Sequence, residues 1–357
     1  MSEMIDRIGR SVPRTMDQLR EETRDVFASL LGTHREVALL DFPNHQNVGD
    51  AMIWRGELDH LRAIGVRVHY SSDVQRFSPA LLEKLVPEGP ILLHGGGNFG
   101  DLWPQFQIFR EQVVQRFPKR KIVQLPQSIE FQDEAAAARA NEIFAQHPDF
   151  HLLVRDRRSY ERARALLPDV QTSFCHDAAL GWQPSTETSA RRQGILVLAR
   201  RDHERGAGIL PAVRAALGPQ DEVADWGLRS LDKALWQVSR MPLGLARKFP
   251  GLGSSRSYYV LMKLSYAALN RLNLRDGQRL FNARALVATD RLHAHVLALL
   301  LGKPHVVADN SYGKIAGVIE ASTKDLGEFL FIDDESDAAA WLQARKSTPE
   351  RAKRGRA

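Results

Sequence analysis

The chain has 357 residues, of which 43% are apolar and 26% are charged, as in ordinary globular proteins. This composition excludes a disordered, collagen-like or repetitive chain, and the length predicts two domains. Lys and Arg number 49 against 43 Asp and Glu, so the net charge is +6 and anionic partners are favoured. The single cysteine, Cys175, excludes an intrachain disulfide and indicates a reducing compartment.

Neither a membrane span nor a secretory signal is expected. No apolar run approaches the ~18 residues of a transmembrane helix, and the N-terminus lacks the apolar segment of a signal peptide. We therefore expect a cytoplasmic protein. Its basic segments leave open a peripheral contact with the inner surface of the membrane.

Short apolar runs alternate with helical patterns through the first half of the chain, after an amphipathic helix at 15–31. The predicted strands are 36–41, 66–70, 90–93, 121–125 and 151–154. The predicted helices are 52–61, 79–85, 106–117, 133–144 and 157–167. This alternation is typical of a parallel, doubly wound sheet.

The second half begins after a polar stretch at 181–190, which is the predicted linker. Residues 240–256, with Pro242, Pro250, several glycines and basic side chains, indicate an exposed basic loop. The predicted strands of this half are 194–198, 285–288 and 305–308. Its predicted helices are 258–272, 291–301, 312–320 and 337–345.

The domain organisation follows from this pattern. We predict an N-terminal helical segment at 1–34, Rossmann-like domains at 35–180 and 191–346, and a basic tail at 347–357. The two domains are expected to face each other across a cleft. The tail is either a solvated terminus or a contact for anionic lipid. Ligands of open parallel sheets bind at the carboxyl ends of strands, so residues directly after strands are the candidates for a site.

Two segments after strands of the first domain offer polar groups to a ligand. Asn47-Val-Gly-Asp50 follows the first strand, and Asp50 is the expected cap of the next helix, although an ordinary turn explains this segment as well. The segment from His94 to Asp101, with sequence HGGGNFGD, follows the strand at 91–93. Its glycines can bring backbone N–H groups close to an anion or a sugar, so we expect a functional loop.

Two further segments follow strands in the same half. In Gln124-Leu-Pro-Gln-Ser128, Pro126 is expected to stop the strand, and a simple turn is the default interpretation. Arg155 directly follows the strand at 151–154, where its guanidinium can bind a carboxylate or a phosphate. Asp156 is expected to cap the next helix or to orient Arg155.

The segment from Thr289 to His295 is the strongest candidate in the second half. Asp290 is the expected helix cap, and Arg291 and His293 fall in the first turn, where the helix dipole favours an anionic ligand. His293 could then transfer protons beside the bound anion. The alternative is that both histidines are packing residues. A metal site is not expected, because positions i and i+2 do not share a helix face.

These motifs, in their order along the chain, resemble the motifs of the polysaccharide pyruvyltransferase family. The resemblance extends from about Asp41 to Glu320 and leaves 202–280 and both termini unmatched. The matching segments are Asn47-Val-Gly-Asp50, Leu93 to Asp101, Gln124 to Ser128, Arg155-Asp156, Asp290 to His293, Gly302-Lys-Pro304 and Tyr312-Gly-Lys314.

The resemblance implies a GT-B-like fold that requires no metal or cofactor and uses phosphoenolpyruvate as donor substrate. It implies transfer of the enolpyruvyl group to a sugar of an exopolysaccharide or cell-surface glycan precursor, often lipid-linked. The product is a pyruvate ketal, and phosphate is released. The family's donor contacts correspond here to Arg155, Arg291, Leu292 and His293.

The residues suit this chemistry, because phosphoenolpyruvate carries a carboxylate and a phosphate that two arginines can bind. We assign His293 as the general acid that protonates the methylene carbon, with Arg291 beside it as anion clamp. Lys314 is either a further donor contact or a surface lysine. The acceptor contacts are assigned to the polar residues that follow the first two strands of the site, namely Asn47, Asp50, Gly96, Gly97, Asn98 and Asp101.

Two other functions fit parts of this pattern. A GT-B-type nucleotide-sugar glycosyltransferase would use the same kind of cleft, because a fold does not settle a function. A non-catalytic saccharide-binding protein of polysaccharide assembly would bind sugar without releasing phosphate. Nucleic-acid binding is not expected, because the basic residues are dispersed and no recognised motif accompanies them.

Overall fold

The computed structural model describes residues 14–185, 193–199, 208–309, 313–332 and 335–346. The chain divides into two compact units. Unit one contains Met1–Gln183, Gly227–Asp276 and Gly317–Leu326, and unit two contains Pro184–Trp226, Gly277–Ala316 and Gly327–Ala357. The segment Gly227–Asp276 thus groups with the first half of the chain, whereas the sequence placed it in the second domain. The predicted tail and the second half of the predicted linker, residues 186–190, lie outside the described residues.

Unit one is built on a parallel sheet, whose strands are β1 (Glu36–Leu40), β2 (Arg67–Ser72), β3 (Ile91–Leu93), β4 (Gly96–Gly100), β5 (Ile122–Glu130), β6 (Phe150–Val154) and β7 (Thr172–Phe174). The strands lie in the order β2-β1-β3-β5-β6-β7, and β4 pairs with β5. The register pairs Leu40 with Leu93 and Leu93 with Gln124, so the carboxyl ends of β1 and β3 and the middle of β5 meet at one edge.

Helices alternate with these strands. They are α1 (Met16–Leu31), α2 (Val48–Ala63), α3 (Pro79–Leu85), α4 (Pro104–Arg116), α5 (Glu134–Ala145) and α6 (Arg157–Leu166). Several begin at side-chain caps that the sequence supplies; Thr15 and Gln18, for example, form a capping box at α1. β3 and β5 are buried throughout, as expected of parallel strands whose two faces are covered by helices.

Two predictions about the edge of this sheet were wrong. The glycine-rich segment is not a loop, because Gly96–Gly100 forms β4 and pairs with β5. Pro126 does not stop the preceding strand, because β5 continues to Glu130. The register of β5 shifts between Gln124 and Gln127, and such an irregularity accommodates a residue that lacks a backbone N–H.

Unit two holds a second parallel sheet, whose strands are β8 (Ile195–Leu198), β9 (Glu222–Ala224), β10 (Leu286–Thr289), β11 (His305–Ala308) and β12 (Phe329–Ile332). These strands lie in the order β12-β11-β10-β8-β9. The helices of this half are α7 (Ile209–Val213), α12 (Leu292–Leu300), α13 (Lys314–Val318) and α14 (Glu335–Lys346). The two parallel sheets confirm the predicted α/β fold class, and the expected cleft stays a prediction.

The predicted basic loop at 240–256 is helical, and this prediction was wrong. The segment contributes to α8 (Ser230–Ser239), α9 (Met241–Lys248), α10 (Pro250–Gly253) and α11 (Arg256–Asn282). Pro242 and Pro250 lie in the first turns of α9 and α10, where a missing backbone N–H costs no hydrogen bond. Within the described part of the chain, none of the helices combines the length and apolarity needed to cross a bilayer.

Candidate functional site

A buried histidine and a buried glutamate form an ion pair where β3 meets the glycine-rich strand. His94 follows β3, and its Nδ1 lies 2.8 Å from Glu57 Oε2. The backbone N–H of Gly95 donates to Glu57 Oε1 at 2.7 Å. A Cβ on Gly95 would lie 2.6 Å from the carbonyl oxygen of Pro126, so only glycine permits this close approach. Glu57, which is fully buried, thereby holds both the ring of His94 and the start of the glycine segment.

The ion pair determines the charge of His94. Burial alone lowers the pKa of His94, but the adjacent Glu57 carboxylate, together with Asp41 and Asp50, outweighs this effect. The pKa is therefore raised above 6.5, which favours the imidazolium form. Its second ring nitrogen, Nε2, is buried and has no hydrogen-bond partner among the described residues. The ring can therefore donate to an oxygen atom of a ligand.

A second buried pair lies beside the first. Asp41, directly after β1, has the left-handed backbone angle φ of +70°, and its Oδ2 lies 3.3 Å from Arg110 Nη2. The same guanidinium donates to the backbone carbonyl of Asn98 at 2.9 Å and to the Asn98 side chain. Burial raises the pKa of Asp41 to about 6, although Arg110 opposes the shift. Burial likewise lowers the pKa of Arg110 to about 10.

Gln127 connects these groups across the sheet edge. Its Nε2 donates to the carbonyl oxygen of His94 and to Asn98 Oδ1, each at 3.1 Å. Gln124 Nε2 donates to the same His94 carbonyl at 2.9 Å. The segment predicted as a simple turn therefore supplies two buried amides that position the candidate site.

The predicted acceptor residues partly come together here. Asn47, and not Asp50, is the N-cap of α2, since its side chain accepts from the backbone N–H of Gly49 at 2.9 Å. Asp50 lies in the first turn and accepts from Asn47 Nδ2 at 2.8 Å. A Cβ on Gly96 would lie 3.8 Å from Asp50 Oδ1, so the start of α2 and the start of β4 are close neighbours. Gly97 and Asn98 continue β4 and are partly exposed.

Asp101 stabilises a turn of the backbone. Its carboxylate accepts hydrogen bonds from the backbone N–H groups of Gln132 and Asp133, at 2.8 and 2.6 Å. These contacts fix the connection between β5 and α5. The structure therefore brings Asn47, Asp50 and the glycine segment together and places the Asp101 carboxylate on a turn.

Arg155 is a buried member of a polar network at the end of β6. Its Nη1 donates to Asp177 at 2.7 Å and its Nε donates to Ser128 at 3.0 Å. Ser128 in turn donates to Asp156 at 2.7 Å. Asp156 caps α6 as predicted, accepting from the backbone N–H of Ser159. The network holds Arg155 at the expected sheet edge, and its contact with a donor stays a prediction.

In unit two, Arg291 stands at the beginning of α12. The N-cap is Arg291 and not the predicted Asp290, and it forms no side-chain cap. Thr289 Oγ1 instead accepts from the backbone N–H of Arg291 at 3.0 Å. The guanidinium pairs with Asp225, with 2.5 Å between Nη2 and Oδ1. A helix N-terminus beside a guanidinium can bind an anion.

The remaining donor candidates lie in or after this helix. Leu292 is buried and His293 is half-buried in the first turn of α12, and Lys314 is the half-buried first residue of α13. Tyr312 lies outside the described residues. His295 is a packing residue that pairs with His305. His305 Nδ1 lies 2.9 Å from the Lys303 carbonyl oxygen and must donate to it, so in the neutral ring His305 Nε2 is the acceptor. That nitrogen accepts a hydrogen bond from His295 Nδ1 at 2.7 Å.

Sequence reasoning missed three members of the site, which are Asp41, Glu57 and Arg110, and it interpreted the segment that holds Gln127 as a turn. Glu57 and Arg110 lie inside helical patterns, where a charged residue usually faces solvent. The sequence indicated these two residues only in that both are charged residues within helices that neighbour the strands ending at the site. Among the described residues, no group of three or more His, Cys, Asp or Glu side chains is arranged to hold a metal ion.

Comparison with known proteins agrees with the resemblance of the motifs. The polysaccharide pyruvyl transferase family matches residues 47–312. Pyruvyl transferase 1 of Schizosaccharomyces pombe is 32% identical over 299 residues, which cover 79% of this chain and 68% of that protein. EpsO of Bacillus subtilis, named as a pyruvyl transferase, is 32% identical over 281 residues, which cover 79% of this chain and 83% of that protein.

A solved structure of an uncharacterised protein from Klebsiella pneumoniae has a similar fold, with a TM-score of 0.55 and 16% identity. The similarity covers 88% of this chain and 99% of that one, and at this identity it concerns the fold alone. The family match and the two relatives identify the protein more closely. The chain belongs to the polysaccharide pyruvyl transferase family and is a transferase.

Proposed function

We propose that this protein transfers the enolpyruvyl group of phosphoenolpyruvate to a saccharide, forming a pyruvate ketal and releasing phosphate. The observation that carries the proposal is the family match over residues 47–312, which includes Arg155 and the segment Arg291-Leu-His293. Relatives named as pyruvyl transferases support it. The proposed acceptor is a precursor of an exopolysaccharide or cell-surface glycan, lipid-linked and presented in the cytoplasm.

Donor binding is assigned to the start of α12. Phosphate oxygens suit the first backbone N–H groups of this helix, which lack a side-chain cap, and the Arg291 guanidinium supplies charge-assisted hydrogen bonds. Leu292 packs beside the donor, and Lys314 and Arg155 are the predicted further contacts. When the donor substrate binds, its anionic group takes the place of the Asp225 carboxylate as a partner of Arg291.

The proposed reaction proceeds in two steps. His293 donates a proton to the methylene carbon of the donor, and a first acceptor hydroxyl oxygen bonds to C2. A second hydroxyl then attacks C2, the bond from C2 to the phosphate oxygen breaks, and the ketal ring closes. Of the two hydroxyl protons, one restores His293 and the other leaves with the phosphate, so atoms and charges balance.

Acceptor binding is assigned to the edge formed by α2 and β4. Asn47 and Asp50 offer an amide and a carboxylate, and Gly96, Gly97 and Asn98 allow a sugar to approach the backbone. The His94 imidazolium donates from Nε2 to an acceptor oxygen. A buried donor without a partner costs about 1–3 kcal/mol, and the bound acceptor would remove this cost. Asp101 is retained as a predicted contact at the rim.

Titration calorimetry with phosphoenolpyruvate tests the donor assignment without knowledge of the acceptor. We expect binding by the wild type and at least about tenfold weaker binding by Arg291→Ala, since a hydrogen bond to a charged group contributes about 1.5–3 kcal/mol. Arg284→Ala is the matched control. It also removes an arginine of unit two that pairs with an acid, Glu222, at 3.1 Å, and should leave binding unchanged.

The same experiment separates the alternatives. Heat from a nucleotide sugar and none from phosphoenolpyruvate would indicate a glycosyltransferase. Binding of saccharides alone would indicate a non-catalytic binding protein. Equal loss of affinity in Arg291→Ala and Arg284→Ala would contradict the assignment of the donor to α12.

A further inference from the structure

Unit one carries an unusual concentration of exposed apolar side chains on α8, α9, α10 and the beginning of α11. Of the twelve large apolar side chains that are exposed among the described residues, ten lie between Leu231 and Leu264. We call this set the exposed apolar face. Its members are Leu231, Leu235, Val238, Met241, Leu245, Phe249, Leu252, Val260, Leu261 and Leu264. Clusters of this kind on a protein surface mark sites of interaction.

The exposed apolar face is the outer side of helices whose inner side is firmly packed. Leu231, Leu235 and Val238 follow helical spacing on α8, while Trp236 between them is buried. The inner side is also tied down by hydrogen bonds. Tyr259 Oη accepts from the backbone N–H of Ser71 at 2.6 Å.

Arg76 Nε donates to the carbonyl oxygen of Leu243 at 2.6 Å, which attaches α9 to the sheet domain. Leu243 and Ala246, on the inner side of α9, are buried. The helices therefore cannot turn the exposed apolar side chains inward without giving up an existing core. The apolar face needs a partner outside the described fold.

The charge of the same segment specifies the partner. Between Lys233 and Arg275 the sequence contains no Asp or Glu. Its eight basic residues are Lys233, Arg240, Arg247, Lys248, Arg256, Lys263, Arg271 and Arg275. In the described part of the chain, only Arg275 of these eight forms an ion pair, with Asp232. The exposed apolar face thus lies in a segment of net positive charge, most of which forms no ion pair within the described residues.

We infer that the exposed apolar face docks on the surface of an anionic lipid bilayer. Apolar side chains on a helix surface enter the boundary between headgroups and acyl chains, while Lys and Arg attract anionic headgroups. The helices lie in the interface and do not cross it. A second copy of this chain is disfavoured as the occupant, because the pairing of two such faces would bring like charges together. The inference is independent of the proposed reaction.

Flotation of the full chain with lipid vesicles tests the inference. The probes are vesicles of phosphatidylcholine alone and vesicles with equal parts of phosphatidylcholine and phosphatidylglycerol. We expect flotation with the anionic vesicles and none with phosphatidylcholine alone. The charge variant combines Arg247→Gln, Lys248→Gln and Arg256→Gln. Each basic residue near an anionic surface contributes roughly a fivefold increase in partitioning, so the loss of these three charges should weaken the partitioning of the protein onto anionic vesicles by about a hundredfold.

A second variant tests whether apolar side chains enter the bilayer. It replaces strongly exposed residues of three helices, whose loss should not disturb the core, and combines Val238→Ser, Met241→Ser and Leu264→Ser. We expect partitioning to fall by at least about a hundredfold, because each buried methylene group contributes about a fourfold increase. The matched control for the charge variant removes three positive charges from exposed positions elsewhere on the protein. It combines Lys84→Gln, Arg116→Gln and Lys119→Gln.

Several results would overturn the inference. These are absence of flotation with anionic vesicles, equal flotation with phosphatidylcholine alone, and an equal loss in the control variant. Unchanged flotation of the apolar variant would reduce the contact to electrostatic adsorption and contradict insertion. A wild-type dimer in sedimentation that the apolar variant dissociates would assign the face to a second copy. Melting temperatures of all variants show whether each is folded.

Discussion

Replacing Glu57 by Gln removes the carboxylate beside His94 and leaves a side chain of the same shape. In the wild type, Glu57 accepts from His94 Nδ1 at 2.8 Å and from the N–H of Gly95 at 2.7 Å. A Gln at this position keeps an oxygen for Gly95 but turns an amino group toward His94. Burial then dominates the environment of His94, and its pKa should fall below 6.5.

The sign of the effect on stability follows from linkage. The pKa of His94 is raised in the folded protein, so its ion pair stabilises fully below the unfolded value of 6.5. That stabilisation is lost as the pH rises through the folded pKa. Removing one partner of a buried ion pair costs about 3–5 kcal/mol, and we expect about 3 kcal/mol for Glu57→Gln below pH 6.5, because one hydrogen bond survives.

At alkaline pH the comparison changes. The wild type then holds a buried Glu57 carboxylate beside a neutral imidazole, which is costly, while the variant holds no charge at this position. The deficit of Glu57→Gln should therefore shrink toward zero as the pH rises. The other charged groups that face His94, Asp41 and Asp50, are common to both proteins, and their contributions largely cancel in the difference.

Urea unfolding of both proteins across this pH range provides the measurement. Glu22→Gln is the matched control, because Glu22 also pairs with a buried histidine, His176, at 2.9 Å. There burial outweighs the carboxylate and lowers the pKa of His176, so the effect of Glu22→Gln should not vary above pH 6.5. A deficit of Glu57→Gln that stays constant or grows with pH would refute the reasoning about His94.

Three further predictions concern stability and reactivity. Gly100→Ala should cost about 3 kcal/mol or more in urea unfolding, because φ is +119° and a Cβ would lie 1.8 Å from the Glu130 carbonyl oxygen. The control Gly244→Ala, in α9 with open space around it, should stabilise by about 0.5–1 kcal/mol, and a similar cost at both positions would contradict the geometry. Burial raises the pKa of Asp41 from 3.8 to about 6, so the folded state binds the Asp41 proton more tightly than the unfolded state does. As the pH rises from 3.8 to about 6, the free energy of unfolding of the wild type should therefore fall by about 3 kcal/mol relative to that of Asp41→Asn. A pH-independent difference would disprove this. Burial also raises the pKa of the Cys175 thiol, so iodoacetamide should label it only as fast as the protein opens, and rapid stoichiometric labelling without urea would contradict its burial.

Local patterns predicted the fold class well, because the alternation of apolar strands and helices is a local property of the sequence. They failed where tertiary contacts decide the backbone. Gly96–Gly100 has the composition of a loop, yet its pairing with β5 makes it a strand. Pro126 ordinarily ends a strand, yet the shifted register between Gln124 and Gln127 accommodates it. Residues 240–256 form helices because their inner faces pack on unit one.

The candidate site was predicted only in part, because local patterns indicate strand ends but not contacts between distant parts of the chain. Residues next to strand ends, such as Asn47, Asp50 and Asn98, could be selected by their position along the chain. Glu57 could not, because it is 37 residues from His94 in sequence and nothing local indicates that it faces the sheet edge. Arg110 was missed in the same way, 69 residues from Asp41. Long-range pairs between helices and strand ends became visible only in the folded chain.

Incubation with phosphoenolpyruvate labelled with carbon-13 at C2, in heavy water and with a mixture of candidate glycans, tests the central claim most directly. We expect phosphate release in step with a new ketal carbon signal on the glycan, and a methyl group that carries one deuterium per turnover. His293→Ala should lower the rate by about 10²- to 10⁴-fold, as loss of a general acid does. Phosphate release without a ketal carbon, a methyl group without deuterium, or full activity of His293→Ala would contradict it.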